Sequence, residues 1–139
     1  MDASALRRIR AAAVLLQRDI SASGMPWRVS VDIVQAGGNY LVLVDGQFWG
    51  GVGVVLEGAD ERCAVWEIAD ATQSTIMETR HVVWPDCPTH ARGLHLWPEN
   101  RGADWEGNPF GTHAWPVWRC REESGHVFGR VGALRYPPD

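Results

Sequence analysis

Apolar residues recur at helical spacing near the start of the chain: Leu6, Ile9, Ala13, Leu16 and Ile20 fall on one side, with Arg7, Arg8, Arg10, Gln17 and Arg18 largely on the other. The pattern predicts an amphipathic helix, which Gly24 and Pro26 bring to a stop. From Trp27 the period drops to two. Trp27, Val29, Val31 and Ile33 alternate with Arg28, Ser30 and Asp32, as in a strand with one buried and one wet face. A turn at Ala36-Gly37-Gly38-Asn39 leads to a second strand, Tyr40 to Val44, whose unbroken apolar run suits the middle of a sheet. Asp45-Gly46 then marks a two-residue hairpin, because both residue types tolerate positive φ. The third strand is expected over Phe48 to Leu56.

Gly50, Gly51 and Gly53 interrupt that third strand, and they point to a bulge or a close approach of backbone. A phosphate loop is not indicated, since neither GKS/T nor GxGxxG is present. Asp60 can cap a second helix from about Glu61 to Arg80. Val65, Ile68, Ala69, Thr72 and Ile76 form its buried stripe, while Arg62, Glu67, Asp70, Gln73 and Glu78 form its wet side. Cys63, near its start, reads as a small buried hydrophobe.

Beyond His81 lie four of the five His, two of the three Cys and five of the eight Trp. Cys87-Pro88-Thr89-His90 is one ligand pair, and Cys120 with His126 is another. Each lies between stretches that read as strand: Val82-Val83-Trp84 and Leu94 to Trp97 around the first, Val117 to Arg119 and Val127 to Gly129 around the second. Two hairpin tips, each carrying a Cys and a His, are what a tetrahedral Zn²⁺ needs, and a small β region with little core gains stability from the ion. Cys87, His90, Cys120 and His126 are the expected ligands. His95 and His113 are alternatives, because they lie close enough in sequence to replace His126 or His90.

Catalytic zinc would keep three protein ligands and a water, with a carboxylate as base. Cys87, His90 and Cys120 with Glu123, or its neighbour Glu122, would be that set. The HxE deaminase pattern and HExxH are both absent, so structural zinc is the leading reading.

Composition narrows the partners. The charge is −4, and the 13 basic residues, all Arg, are spread along the chain, so no basic face is expected to neutralise phosphates and nucleic acid is not an expected partner. The lack of Lys fits GC-rich codon usage, and no function is drawn from it. No run reaches the roughly 20 apolar residues that span a bilayer. Leu6 to Ile20 reads as an amphipathic helix and not as a secretory leader. An odd number of Cys, two in ligand contexts, points to a reducing cytoplasm over a disulfide framework.

Between Trp97 and Trp115 runs a Gly-, Pro- and Asn-rich stretch, Pro98 to Thr112, that joins the two hairpins as a long loop. Trp105 and Phe110 on that loop either fold back on the core or meet a partner, and they are the candidate partner-binding residues. Trp84, Trp97, Trp115 and Trp118 are expected as walls around the metal.

Val83-Trp84-Pro85-Asp86-Cys87-Pro88-Thr89-His90, Val117-Trp118-Arg119-Cys120, Gly125-His126-Val127 and Val131-Gly132-Ala133-Leu134 together resemble small, uncharacterised zinc-ribbon-like proteins of high-GC Gram-positive bacteria. Those chains end in W-P-x-C-P-x-H, a W-x-C and a short strand closing in G-x-L. The resemblance brings no activity with it, and the long aromatic insertion departs from its compact form.

The reading is therefore an α+β protein. Residues 1–81 are expected to form a helix, a three-stranded antiparallel sheet and a second helix; residues 82–139 are expected to form a C-terminal zinc-ribbon-like β region. The expected function is a non-catalytic binding or adaptor module of a bacterial cytoplasm, such as an accessory, immunity or complex-assembly subunit with a protein partner. The alternative is a small zinc-dependent hydrolase.

Overall fold

Helix α1 (Ala3–Ala22) buries Ala5, Ile9, Ala12, Ala13, Leu16 and Ile20 along one stripe, and it ends where Gly24 turns left-handed at φ 81°. The computed structural model describes residues 3–35, 39–49, 53–54, 60–108, 113–121 and 125–136. Two polar side chains of α1 turn away from water. Gln17 donates to Trp27 O and accepts from Val29 N, tying the helix to the next strand, and Asp19 is fully buried.

Strands β1 (Val29–Gln35) and β2 (Asn39–Val44) are antiparallel, with Val29 opposite Val44 and Ile33 opposite Tyr40. Trp27, Val29 and Val31 pack on the core as their alternation requires. Ile33 is 40% exposed, because the register shifts between it and Gln35 and the strand leaves the helices there. Asp45 and Gly46 make the expected turn at φ 51° and 79°, closed by the reciprocal bonds between Val44 and Gln47. Of the expected third strand, the described residues Gly53–Val54 pair with β2 as β3, and Phe48 and Trp49 are 53% and 55% exposed. Of the flanking residues 36–38, 50–52 and 55–59 nothing is described.

Helix α2 (Glu61–Arg80) starts and stops at its sequence signals. Asp60 Oδ1 accepts from Cys63 N at 2.9 Å, and His81 closes the other end at φ 54° by donating to Met77 O. That cap holds the Asp60 carboxyl below its usual range, chiefly through the Cys63 N–H. A depressed carboxyl gives its stabilisation above the unfolded pKa and loses it as pH falls through the folded one. Asp60→Ala is therefore expected to cost about 1 kcal/mol at neutral pH and less in acid, as urea titrations at both pH values would show. Cys63 is half-buried, not the fully buried hydrophobe expected. Glu67 and Gln73 also turn from the wet side: Glu67 accepts from Tyr40 Oη, and Gln73 donates to Trp84 O and Leu94 O.

The C-terminal region is built of short strands. Val82 and Val83 are exposed and pair with no described strand, so the expected strand over Val82 to Trp84 gives way to β4 (Asp86–Cys87) against β5 (Arg92–Gly93). Pro85 lacks an N–H, and its carbonyl instead accepts from Leu94 N. A second antiparallel sheet follows, β6 (His95–Pro98), β7 (Pro116–Arg119) and β8 (Val127–Arg130), in that order. The chain is thus α+β, with two helices and small antiparallel sheets.

One buried cluster takes Ile9 and Leu16 from α1, Ile68 and Ile76 from α2, Val44 from β2, and Trp84, Leu94, Trp118 and Phe128 from beyond residue 81. Asp19 sits at the junction. Its carboxylate accepts from Trp118 Nε1 at 2.8 Å, Gly132 N at 2.8 Å and Leu134 N at 2.9 Å, fastening α1 to the turn after β8. Burial pushes that carboxyl above its ordinary value, against the pull of the three donors.

Candidate metal centre

Cys87 ends β4, and the tight turn that follows returns His90 towards it. Ala91 N donates to Cys87 O at 2.9 Å, and Ala91 takes a left-handed φ of 52° to complete the turn. Cys120 follows β7 directly and His126 precedes β8, their backbones joined by a bond from Cys120 N to His126 O at 2.9 Å. The two sheets are held side by side by the core beneath them, where Trp84 and Trp118 meet edge to face at 5.5 Å. Each indole N–H is satisfied, Trp84 on Ser23 Oγ and Trp118 on Asp19. The scaffold therefore fixes both cysteines before any ligand is considered.

The result is a three-donor group. His90 Nδ1 lies 3.3 Å from Cys87 Sγ and 3.3 Å from Cys120 Sγ, and the three donor atoms are all within 4.8 Å of one another. One ring nitrogen has one lone pair or one proton, and a single proton serves one sulfur well. Equal approach to two sulfurs suits a shared ion, for which sulfur and nitrogen ligands on a tetrahedron stand about 3.5 Å apart. Both cysteines are fully buried and His90 half-buried. Cys87, His90 and Cys120 could hold a metal ion, and the soft and imidazole donors favour a transition metal over calcium or magnesium.

His126 stands beside this group without being one of its members. Its ring is 5.2 Å from that of His90, tilted by 37°, and its Nδ1 is buried with no hydrogen-bond partner. A buried polar atom left unpaired costs roughly 1–3 kcal/mol, so this nitrogen has a reason to take a ligand. Phe128 packs edge-on against the same ring, and Tyr136 stacks on Phe128 while donating to Asp86 O. Burial, then the neighbouring Asp86 and Cys87, push the Tyr136 hydroxyl up to about 12, so it stays protonated there.

The other candidates lie elsewhere. His95 is half-buried in a groove between β6 and α2, its imidazole held below the ordinary value by burial and then by Arg121. His113 is exposed beside Glu99 and Arg130. Neither belongs to the three-donor group. Of the four expected walls, Trp84 and Trp118 are buried in the core; Trp115 lies under the Arg130 guanidinium, and Trp97 bonds to Gly102 O and meets Trp105 edge-on at 5.6 Å. Trp105 thus folds back on Trp97. Phe110, Glu122 and Glu123 lie outside the described residues.

The reading of residues missed Asp19, whose backbone partners lie more than 110 positions away. It also missed the groove that collects Asp70, His95 and Arg121. Among the described residues no helix is long and apolar enough to cross a membrane. The chain matches no protein-family model, no curated protein and no solved structure, so the likeness to zinc-ribbon-like chains rests on the motif residues themselves.

Proposed function

We propose that the protein is a non-catalytic binding module whose Cys87, His90, Cys120 and His126 hold one structural Zn²⁺, with a protein partner meeting the long loop. The observation that carries this reading is the buried, unpartnered Nδ1 of His126 next to a buried three-donor group. A fourth protein donor closes the coordination sphere, and a closed sphere leaves no position for a water or substrate. A Cys and a His at each of the β4–β5 and β7–β8 pairs support the zinc-ribbon reading. The loop that carries Trp105 is anchored at both ends by the β6–β7 pairing, and Glu99 N bonds to Trp115 O just beyond it. A rigidly mounted loop with an aromatic anchor is a common form of binding surface.

The runner-up is a zinc hydrolase with Cys87, His90 and Cys120 as ligands, a water in fourth place and Glu123 as base. It draws support from the three donors that cluster without His126. Cobalt substitution separates the two. The purified protein is expected to carry about one zinc per chain, and His126→Ala to alter the visible spectrum and weaken metal binding roughly 10- to 100-fold or more. A spectrum unchanged by that substitution favours the hydrolase, and no stoichiometric metal removes both readings. For the partner, Trp105→Ala is expected to weaken a complex isolated from the native host by more than about tenfold, with a loss of thermal stability no larger than its packing on Trp97 accounts for.

A further inference from the structure

A groove runs between α2 and the long loop, away from the three-donor group. Its wider part, about 480 Å³, is lined by Trp66, Trp97, Trp105, Asp70 and Glu106, and also by His95 and Arg121. A second hollow of about 260 Å³ shares His95, Trp97 and Arg121 with it and adds Arg119. Together these fall within the size range of small-ligand sites.

The polar groups of the groove are uncommitted. Asp70 comes from α2, His95 from β6, Glu106 from the loop and Arg121 from the segment after β7. None of these four side chains has a hydrogen-bond or ion-pair partner among the described residues, whereas the indoles of Trp66 and Trp97, Gln73 and Arg119 do. Asp70 opens to solvent, yet the surrounding walls push its carboxyl above the ordinary value. The indole N–H groups of Trp66 and Trp97 are already spent on Ala114 O and Gly102 O, so those rings offer surface and no further donors. Trp105 stands at 84° to Trp97, so a pair of non-parallel aromatic walls bounds the wider part.

Charge differs between the two hollows: both carboxylates line only the wider one, Arg119 lines only the narrower one, and His95 and Arg121 line both. A cation against aromatic faces and carboxylates is favourable, and a planar guanidinium both stacks on indole and pairs with a carboxylate fork. An anion belongs in the narrower hollow, where arginines pair best with a carboxylate. We infer that the groove binds a ligand bearing a guanidinium and a carboxylate on one flexible chain, the first against Trp97, Trp105 and Asp70, the second against Arg121 and Arg119. Such a ligand is either free arginine or the C-terminal arginine of a peptide. The inference rests on the long loop being a binding surface, as proposed above, but not on the metal.

The test is a calorimetric titration of the metal-loaded protein with four probes: L-arginine, Gly-Gly-Arg, L-citrulline and L-argininamide. At least one of the first two is expected to bind saturably. Citrulline, which lacks the cation, and argininamide, which lacks the carboxylate, should each bind at least about tenfold more weakly. Asp70→Asn should abolish the preference over citrulline and Arg121→Gln the preference over argininamide; both side chains face solvent, so both variants keep the fold. Tighter binding of arginine assigns a free amino acid, and tighter binding of Gly-Gly-Arg assigns a peptide end. No saturable binding of either, equal binding of the analogues, or preferences that survive both substitutions would overturn the inference. A missing zinc would remove the metal reading and leave these titrations standing.

Discussion

If the Cys–His group holds structural zinc as proposed, stripping the metal with a strong chelator, or replacing Cys120 by Ser, is expected to unfold much of the molecule and not the metal loops alone. Structural zinc in small sites contributes an apparent free energy of about 10–16 kcal/mol, against a total stability of about 5–15 kcal/mol for an ordinary domain. Much of that is offset by ordering the loops, but a net loss of roughly 4 kcal/mol would already lower the melting temperature by about 15 °C. The effect should spread because Cys87 and Cys120 lie in the same buried cluster as Ile9, Leu16 and Ile68. Removing the ion leaves the two buried cysteine sulfurs of that cluster, with the half-buried His90 and His126 beside them, without a common partner. Hydrogen exchange should therefore rise in α1 and α2 as well as in β4 to β8, with near-UV dichroism of the Trp84–Trp118 pair lost in the same transition. A chelated protein that melts within a few degrees of the metal-loaded one would show that the ion contributes little.

Asp19→Ala is expected to be the most damaging single substitution outside the metal ligands. Three donors, the Trp118 indole and the amides of Gly132 and Leu134, lose their acceptor together. Each buried donor left unpaired costs about 1–3 kcal/mol, and the relief from no longer burying a carboxylate offsets some of the sum. The expected net loss is about 3–5 kcal/mol. Asp19→Asn should cost about half as much, because its carbonyl oxygen still accepts while its amide faces a donor. Urea unfolding of both variants tests this, and a loss below about 1 kcal/mol for alanine would mean that water replaces the carboxylate at little cost.

Helix α2 was legible in the sequence because its signals are local: Asp60 sits three residues before the amide it caps, and a long amphipathic run follows. The Asp45-Gly46 hairpin was legible for the same reason, since two residues carry its whole geometry. Cys87 and His90 are close in sequence, so one turn unites them; their meeting with Cys120 was suggested by residue chemistry and realised by the packing of two sheets. What escaped the sequence depends on distant partners. Val82 and Val83 have high strand propensity, yet a strand needs a neighbour, and Pro85 ends the option. Gln17 and Gln73 read as wet positions because periodicity assigns a face by hydrophobicity, and Asp19 was given to neither face; each is drawn inward by backbone or indole groups that lie far along the chain. The groove was hidden for the same reason, with its charged side chains contributed by four separate segments.

The Asp19 junction also sets an order of events during synthesis. Helix α1 is made early, but its buried carboxylate lacks its full set of donors until Leu134, 115 residues later, has been translated. At about 5–20 residues per second the interval is roughly 6–23 s, long compared with helix formation in about a microsecond. During that wait α1 can pack on α2 and β1 only with Asp19 hydrated at the edge of an unfinished core. The final desolvation of the carboxylate must come after the C-terminal turn has left the ribosomal tunnel, so the native state is reached by late docking of that turn onto a helix already in place.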